Sequence, residues 1–404
     1  MWRALNNRLF AFLWSGQTIS RLGDSFYRIA LSWWVLEKTG SALAMGTINI
    51  ASMIPMLLFM LFGGVIVDRL PRQWVMFWAD LLRGVMVAGV AILAALNLLT
   101  VWEIFIVSAL FGLVSSFFEP AYIAVFPQLN AKEDLPSANS LTTVSREITG
   151  IVGPSVAALL VASGGTPVTF GLDALSFFIS AGALVPLLHA KIPLPLPPET
   201  TSKPNVWEDI LVGLRTVLAS PWLWVTISVA ALANMMEAGA ISTSLPFLIK
   251  DAWHMDVKSM GFLYSAISVG AVITALIMGH WKKLRKRGPV AFLAWFIIGL
   301  GIMVLGLQKN FVVSLIVATI IGAGSTTFGL IWTNSMQELV PPNLLGRVSS
   351  IDYLGSFALI PIGYAVAGWA TDLYGPAVVF VVCGILVSAF ALLALAHPAI
   401  RRMD

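Results

Sequence analysis

The stretch Gly64-Val65-Ile66-Val67-Asp68-Arg69-Leu70-Pro71-Arg72 decides the fold of this chain. It ends one long apolar run, places an acid and two arginines close together, and is followed at once by a second apolar run. A charged side chain at the centre of a bilayer costs about 3 kcal/mol or more. Gly63 and Gly64 allow two helices to approach closely. The pattern therefore predicts two membrane-spanning helices joined by a very short loop at the aqueous boundary.

The composition extends this prediction to the whole chain. Of 404 residues, 58% are hydrophobic and only 11% are charged, whereas soluble proteins are about 25% charged. A membrane helix needs about 20 mostly apolar residues, and a β-barrel would instead show shorter alternating segments. The apolar stretches are centred near residues 22, 55, 85, 113, 150, 178, 235, 270, 298, 322, 358 and 386. We therefore expect an all-α membrane protein with twelve transmembrane helices in a cell (inner or plasma) membrane.

The distribution of basic residues between loops predicts the orientation. Loops on the cytoplasmic side of membrane proteins carry an excess of Lys and Arg. One alternate set of loops contains Arg3, Arg8, Arg69, Arg72, Lys132, Lys191, Lys203, Arg215, Lys282, Lys283, Arg285, Lys286, Arg287, Arg347, Arg401 and Arg402. The opposite set contains only Lys38, Lys250, Lys258 and Lys309. Both termini are therefore expected in the cytoplasm.

The remaining chemistry of the sequence is sparse. Cys383 is the only cysteine and the four histidines are scattered, so no disulfide, thiolate cluster or metal site is expected. The sequence contains no signature of a nucleophile paired with a base, so an enzyme is not expected. No cofactor is expected either. The basic residues lie in alternating loops, which argues against nucleic-acid binding. The expected partners are the lipid bilayer, protons and a small-molecule substrate. The protein is expected to be a monomer.

Three regions divide the chain. Residues 1–190 contain six predicted spans and residues 221–404 contain six more. The segment 191–220 between them begins with the proline-rich sequence KIPLPLPPETTSKPN, which cannot form a helix. The apolar residues that follow, from Val206 to Ala219, have helical spacing. We expect a cytoplasmic linker that ends in an amphipathic helix on the membrane surface.

The two halves of the chain repeat weakly. The segment 135–140 precedes a similar segment, 345–350, by 210 residues, and Gly153 precedes Gly363 by the same offset. Gly64 and Arg72 match Gly279 and Arg287 at an offset of 215 residues. The second loop has thus lost the acid and kept its basic charge. Two pseudo-symmetric six-helix bundles of this kind are typical of transporters with a site near the bilayer midplane.

These features resemble the major facilitator superfamily. Its loop signature after the second span is matched by Gly64, Ile66, Asp68, Arg69 and Arg72, with Pro71 in place of the usual glycine. The exporter signature of the fifth span is partly matched by Gly153 and Pro154. The arginine often found in the fourth span is absent, and Ser108 stands near that place.

Further segments resemble the macrolide-efflux and enterobactin-exporter-like branch of that superfamily. They comprise residues 22–24, 39–44, 80–83 and 172–177. The resemblance covers nearly the whole chain and implies proton-driven export of an amphipathic, drug-type or macrolide-type molecule by alternating access. A siderophore or metabolite exporter of the same fold is the alternative. An importer or sugar-type symporter would need more polar cavity residues than the sequence contains.

Two acids within the spans are candidates for proton coupling. Asp24 in the first span is flanked by Arg21 and Arg28 on one helical face, so a structural ion pair is the alternative. Glu237 in the seventh span has no basic residue near it in sequence. An acid without a partner in this environment is costly when charged, so it is suited to take up and release a proton. Glu237 is therefore the first candidate, with a buried neutral acid hydrogen-bonded to another helix as its alternative.

The other ionisable residues of the spans suggest gating or cargo contacts. Asp80 and Arg83 lie one turn apart and are expected to form an ion pair that braces the loop after the second span. Glu119 is expected to pair with Arg69 or Arg72 as part of the same gate, and Asp68 is expected to cap the eleventh span.

Two further charges lie deeper in the first half. Arg146 is expected to hold an anionic group of the cargo or to pair with a cavity acid. Asp173 is expected near the outer membrane boundary. Solvation at that boundary and a functional role are the two alternatives.

Aromatic and methionine side chains suit an adaptable pocket. The candidates for lining the substrate cavity, besides Arg146, are Phe26, Tyr27, Met235, Met236, Phe328 and Trp332. For each of them, packing between helices or contact with lipid is the alternative.

Overall fold

The protein is helical throughout the described residues of the computed structural model, which are 2–67, 70–131, 133–190, 206–280, 286–342 and 344–403. The first half begins with a short 3₁₀ helix, Trp2–Asn6. Its long helices are α1 (Arg8–Thr39), α2 (Ala42–Val67), α3 (Arg72–Ala95), α4 (Val101–Leu129) and α5 (Leu135–Leu188).

The second half begins with α6 (Val206–Ala219), the segment for which the sequence predicted a helix. The long helices that follow are α7 (Pro221–Ala252), α8 (Val257–Met278), α9 (Arg287–Leu307), α10 (Phe311–Leu339), α11 (Leu345–Tyr374) and α12 (Pro376–Ala396), and α13 (Pro398–Arg401) closes the chain.

The helices agree with the twelve predicted spans. Ten of the described helices are long and apolar enough to cross a membrane. One of these, α5, contains 54 residues and bends at Gly165, where the backbone is not helical, so it supplies two spans. The remaining predicted span is α1, whose 32 residues include Arg21, Asp24 and Arg28 within the apolar sequence.

Glycines with left-handed backbone conformations make the tightest turns between spans. Gly165 (φ 77°) separates the two arms of α5, and Gly375 (φ 83°) separates α11 from α12. Positive φ is accessible to glycine without steric cost. The two glycines are 210 residues apart, so the same turn recurs at the offset that the sequence repeat predicted.

The chain forms two compact units. Unit 1 comprises residues 1–197 with residues 256–265, and unit 2 comprises residues 198–255 and 266–404. Within unit 1, helices α1 and α3 pack on α5, and α2 packs on α4. Within unit 2, α9 packs on α12 and α10, and α7 packs on α11 and α12.

Close helix contacts through glycine recur in both units. A side chain at Gly112 of α4 would collide with the carbonyl oxygen of Ser52 in α2, and one at Gly322 of α10 would collide with that of Ile267 in α8. The two glycines are 210 residues apart, and their partners are 215 apart. Because small residues let helices approach closely, the repeated positions preserve the same packing in each bundle.

The predicted equivalence of Gly153 and Gly363 is also visible in the packing. Gly153 of α5 lies against Ser25 of α1, and Gly363 of α11 lies against the backbone of Met235 in α7. The structure thus confirms two pseudo-symmetric bundles and places the exporter signature at a helix contact.

Candidate functional site

A buried polar network surrounds Asp80 in unit 1. Arg83 Nη2 lies 2.6 Å from Asp80 Oδ1, which is the predicted ion pair. The hydroxyl of Ser180 on α5 donates to Asp80 Oδ2 at 2.7 Å, and the amide of Gln17 on α1 donates to the same oxygen at 3.2 Å. Asp80 is 0% exposed and Arg83 is 7% exposed. Three helices thus supply partners to one carboxylate, and its charge is compensated inside the bundle.

The guanidinium of Arg83 has aromatic neighbours on its other sides. It lies 4.2 Å from the ring centroid of Phe118 and 5.0 Å from that of Phe177, which are distances for cation–π interaction. The fourth span lacks the arginine often found in the superfamily, but Arg83 of α3 places a buried cation beside that helix.

Asp24 is half-buried on α1 and sits in a field of positive charge. It interacts electrostatically with Arg83, Arg28 and Arg21, in that order of strength. Among the described residues, however, no arginine approaches its carboxyl closely enough to form an ion pair. Arg21 instead lies over the ring of Tyr122, 5.5 Å from its centroid. The structural ion pair considered for Asp24 is therefore absent, although its charge is partly compensated at longer range.

Asp173 lies deep within unit 1. Its side chain is 0% exposed, so solvation at the outer boundary, considered from the sequence, is wrong. The hydroxyl of Ser176 lies 3.4 Å from Oδ1, and Oδ2 has no hydrogen-bond partner in the described part of the chain. The bend at Gly165 directs this arm of α5 back into the bundle, which explains the burial. Asp173 is a third acid near Arg83.

Phe26 and Tyr27, both candidates for the substrate cavity, pack within unit 1. Phe26 is 8% exposed. The ring of Tyr27 stacks on that of Phe111 with centroids 5.7 Å apart and planes inclined by 3°. Both side chains therefore have helix-packing contacts, and their contact with cargo remains a prediction.

Glu119 and Arg72 do not form the pair expected from the sequence. Arg72 Nη1 donates to the carbonyl oxygen of Ala124 at 2.9 Å, whereas Glu119 is exposed and interacts electrostatically with Asp24 and Tyr122. Five residues separate Glu119 from Ala124, which turns them about 140° apart around α4. Arg72 therefore reaches a different face of the helix.

The remaining residues of the predicted gate lie at the edge of what the structure describes. Asp68 and Arg69, including the expected cap of the eleventh span, fall outside the described residues. Gly64 lies in α2. In the second copy of the loop, Arg287 pairs with Glu338 of α10 at 2.6 Å. Position 338 corresponds to Gln128 at the 210-residue offset, so the acid of this pair has no counterpart in the first half.

Arg146 of α5 is exposed. It forms no ion pair within the described ranges, and it interacts electrostatically with Tyr122. Its predicted role toward an anionic cargo group therefore stays a prediction. Pro154, next to the glycine of the exporter signature, is buried and lies against Gly261 at the start of α8.

Unit 2 contains a cavity of about 470 Å³ lined by α7, α9, α10 and α11. Glu237, Phe328 and Trp332, all singled out from the sequence, line it. Drug-sized pockets in proteins range from about 300 to 1,000 Å³. The cavity is therefore large enough to hold a small organic molecule.

The helices around this cavity are irregular where they face it. Directly after Glu237, α7 changes to π-helix over Gly239–Ser244, and π-helical segments are frequent at functional sites. Helix α11 is interrupted between Phe357 and Ile360, ahead of Pro361, which has no N–H to continue the helix. Irregular backbone in a membrane protein is tolerated where it lines a cavity.

Glu237 has no hydrogen-bond or ion-pair partner among the described residues. The alternative considered from the sequence, an acid hydrogen-bonded to a neighbouring helix, is therefore not what the structure contains. A carboxyl in this setting gains nothing from the protein when it is charged, so a proton or a ligand is needed to neutralise it.

Asp352 of α11 is a functional candidate that the sequence analysis missed. It lines the same cavity, accepts a hydrogen bond from the Trp332 indole at 2.9 Å, and accepts another from the Ser356 hydroxyl at 3.0 Å. An acid within an apolar span is itself a signal of function, and this signal was available at position 352. Asn234, also in the cavity lining, donates to the Ser356 carbonyl at 3.0 Å.

Met235 and Met236 do not line the cavity that contains Glu237. They line a separate cavity of about 410 Å³ between α7, α11 and α12, whose lining is almost entirely apolar. Adjacent positions on a helix point about 100° apart, so Met236 and Glu237 face different sides of α7. Met235 and Met236 thus line a different cavity from Phe328 and Trp332, the other unit 2 candidates for the substrate cavity, and their contact with cargo remains a prediction.

Comparison with known proteins identifies the family and the fold. The family model for transmembrane secretion effectors matches residues 1–404. Macrolide efflux protein A from Streptococcus pyogenes is 25% identical over 397 residues, covering 98% of this chain and 97% of that protein. The enterobactin exporter EntS from Escherichia coli O1:K1 / APEC is 28% identical over 333 residues, covering 82% of this chain and 74% of the exporter.

Solved structures share the fold. A bacterial homologue of the iron transporter ferroportin in an inward-facing state superposes with a TM-score of 0.74 at 18% identity, covering 96% of this chain and 99% of that one. A POT family transporter in complex with a thioalcohol-conjugated peptide superposes with a TM-score of 0.75 at 12% identity, covering 96% of each chain. The chain therefore has the major facilitator fold and belongs to the transmembrane secretion effector family of that superfamily.

Proposed function

We propose that the protein is a proton-coupled antiporter that exports amphipathic small molecules by alternating access, with Glu237 as the proton carrier. The observation that carries this proposal is the placement of Glu237 in a cavity of unit 2 without a partner among the described residues. Protonation and cargo binding then become alternative ways to neutralise the negative charge in this cavity. Exchange of one for the other is the essential requirement of antiport.

The direction of transport is supported by the relatives. Macrolide efflux protein A and the enterobactin exporter are both named as exporters, and the exporter signature is partly matched at Gly153 and Pro154. A drug-type or macrolide-type cargo is our first choice, and a siderophore or other metabolite is the alternative. Basic residues are concentrated in every second loop, which supports an orientation with both termini in the cytoplasm.

Asp24 is the second candidate for proton coupling. Its charge interacts favourably with those of Arg83, Arg28 and Arg21, whereas Glu237 has no basic partner among the described residues. We assign Asp24 a supporting role in coupling, in which it responds to protonation of Glu237 and to cargo binding.

Coupling requires that the proton changes the balance between the inward-open and outward-open states. A tenfold change in their ratio corresponds to about 1.4 kcal/mol of differential affinity. The loop from Gly64 to Arg72 is proposed as the cytoplasmic latch, with Asp68 as its essential acid. Changing Asp68 to Asn is expected to reduce transport while leaving cargo binding detectable. Unchanged transport would remove Asp68 from the mechanism.

The experiment for the proposed function uses purified protein in proteoliposomes with an imposed pH gradient. We expect transport of a macrolide against its concentration gradient when protons can flow in the opposite direction, and no accumulation when an ionophore dissipates the gradient. Repeating the assay with enterobactin separates the two cargo classes. Accumulation that persists without a pH gradient would contradict proton coupling.

A further inference from the structure

The two acids that line the cavity of unit 2, Glu237 and Asp352, differ from Asp80 of unit 1 because no basic side chain of the described residues lines that cavity. The cavity of unit 2 is lined by two ionisable residues of the described chain, Glu237 and Asp352, and by no Lys, Arg or His among the described lining residues. Apolar and aromatic side chains form most of the remaining surface. A cavity of this kind has negative charge to offer and no positive charge to balance it.

Asp352 is oriented by neutral donors. The indole N–H of Trp332 binds Oδ2 and the hydroxyl of Ser356 binds Oδ1. A carboxylate has about four acceptor positions, so these two bonds leave acceptor capacity on both oxygens. The donors therefore fix the direction of the carboxylate without supplying a counter-charge.

An aromatic stack continues from this carboxylate into the cavity. Trp332 and Phe328 are nearly parallel, with centroids 6.3 Å apart and planes inclined by 12°. The ring centroid of Phe328 in turn lies 3.9 Å from that of Trp295 of α9. All three side chains line the cavity, and aromatic faces attract ammonium-type cations, tryptophan most strongly.

From these observations we infer that the cavity of unit 2 is a binding site for an organic monocation, with Asp352 as counter-ion and Trp295, Phe328 and Trp332 as the aromatic surface under its apolar body. Glu237 then remains available for the proton. This inference rests on the proposed function and specifies the charge of its cargo. The separate cavity at Met235 lacks comparable polar lining and offers no counter-ion.

The test uses two probes of nearly equal shape and opposite charge, tetraphenylphosphonium and tetraphenylborate. Binding to the purified wild-type protein in detergent solution is measured by equilibrium dialysis, so neither a lipid bilayer nor a pH gradient is present. We expect saturable binding of the cation at a single site and no saturable binding of the anion. Equal binding of both probes would overturn the inference, because it would leave the carboxylate without a role.

Variants locate the site. Asp352→Asn is expected to weaken cation binding by at least about tenfold, since the negative charge that attracts the cation is lost. Trp332→Phe keeps an aromatic face but removes the indole donor, and we expect a smaller loss. Leu386→Ala, in the separate apolar cavity, serves as a control and is expected to bind normally.

The outcomes also separate this inference from the proposed function. If Asp352→Asn does not fold, as judged by size-exclusion chromatography, the charge preference of the wild-type protein still decides the question. Cation binding that is unaffected by a folded Asp352→Asn variant would overturn the site. Cation binding without proton-coupled transport would retain the site and reject the antiport mechanism.

Discussion

Asp80 of unit 1 and Glu237 of unit 2 are held in different ways. In unit 1, Asp80 is paired with Arg83 and receives hydrogen bonds from Ser180 and Gln17. In unit 2, Glu237 faces a cavity and has no such partner among the described residues. A charge with partners contributes to the cohesion of its bundle, whereas a charge without partners responds to whatever enters the cavity. We therefore expect a structural role for Asp80 and a response to a proton or to cargo for Glu237.

This contrast predicts the largest effect for substitution of Glu237. Glu237→Gln keeps the size of the side chain but cannot exchange a proton, so transport driven by a pH gradient is expected to fall to the level of passive leak. Glu237→Asp, which retains the carboxyl, is the matched control and is expected to keep measurable transport. Both are measured in proteoliposomes at equal protein content.

Asp24 sharpens the same contrast within unit 1. Because surrounding arginines already stabilise its charge, Asp24→Asn is expected to slow transport several-fold and to leave it dependent on the pH gradient. Loss of gradient dependence in this variant, together with its retention in Glu237→Gln, would reverse the roles assigned to the two acids.

The next largest effect concerns stability. Asp80→Ala leaves Arg83 buried without its carboxylate partner, and breaking a buried pair in this way costs about 3–5 kcal/mol. We expect a marked fall in the unfolding temperature of the purified protein. Glu237→Gln, which breaks no pair, is expected to unfold close to the wild-type temperature. Similar unfolding temperatures for Asp80→Ala and the wild type would show that the network is not structural.

Glycine contacts test whether the two bundles are equivalent in their packing. Gly112→Ala and Gly322→Ala place a methyl group against the backbone of a neighbouring helix, and overpacking of this kind costs about 1–3 kcal/mol. We expect similar losses of thermal stability in both variants. Gly89→Ala is the control, because no atom lies within 4 Å of the added carbon.

The smallest effect is expected for the ion pair of the second loop. Arg287 and Glu338 are 12% and 58% exposed, and exposed pairs contribute at most about 1 kcal/mol. Arg287→Gln is therefore expected to change the unfolding temperature little. The residual difference from wild type should shrink further at high salt, because salt screens exposed charges.

Much of the fold followed from the sequence because membrane insertion imposes simple rules. Apolar length predicted the spans, and the offsets of 210 and 215 residues predicted the equivalence of Gly153 with Gly363. The helix over Val206–Ala219 also followed from its spacing. These features depend on local sequence or on internal repetition, and both can be read without knowing which helices touch.

The candidate sites were less predictable because side-chain partners depend on how the helices pack. The pair of Asp80 and Arg83 lies one turn apart and could be predicted, but Ser180 and Gln17 come from distant parts of the chain. Met236 and Trp332 were both candidates for the substrate cavity, but the sequence could not show that they line different cavities. Solvation was left open for Asp173 because the return of α5 after Gly165 into the bundle cannot be read from span length alone.

Asp352 shows a different limitation. Its position within an apolar span was a usable signal, but its significance depends on the indole of Trp332 and the carboxyl of Glu237 meeting in one cavity. Three helices contribute these groups, and their separation in sequence conceals the site.

Proton release on cargo binding is the most direct test of the central assignment, that Glu237 exchanges its proton for cargo. The purified protein is placed in weakly buffered detergent solution with a pH indicator, and a macrolide or tetraphenylphosphonium is added. We predict proton release from the wild type and from Asp24→Asn, and none from Glu237→Gln. Undiminished proton release from a folded Glu237→Gln variant would contradict the assignment.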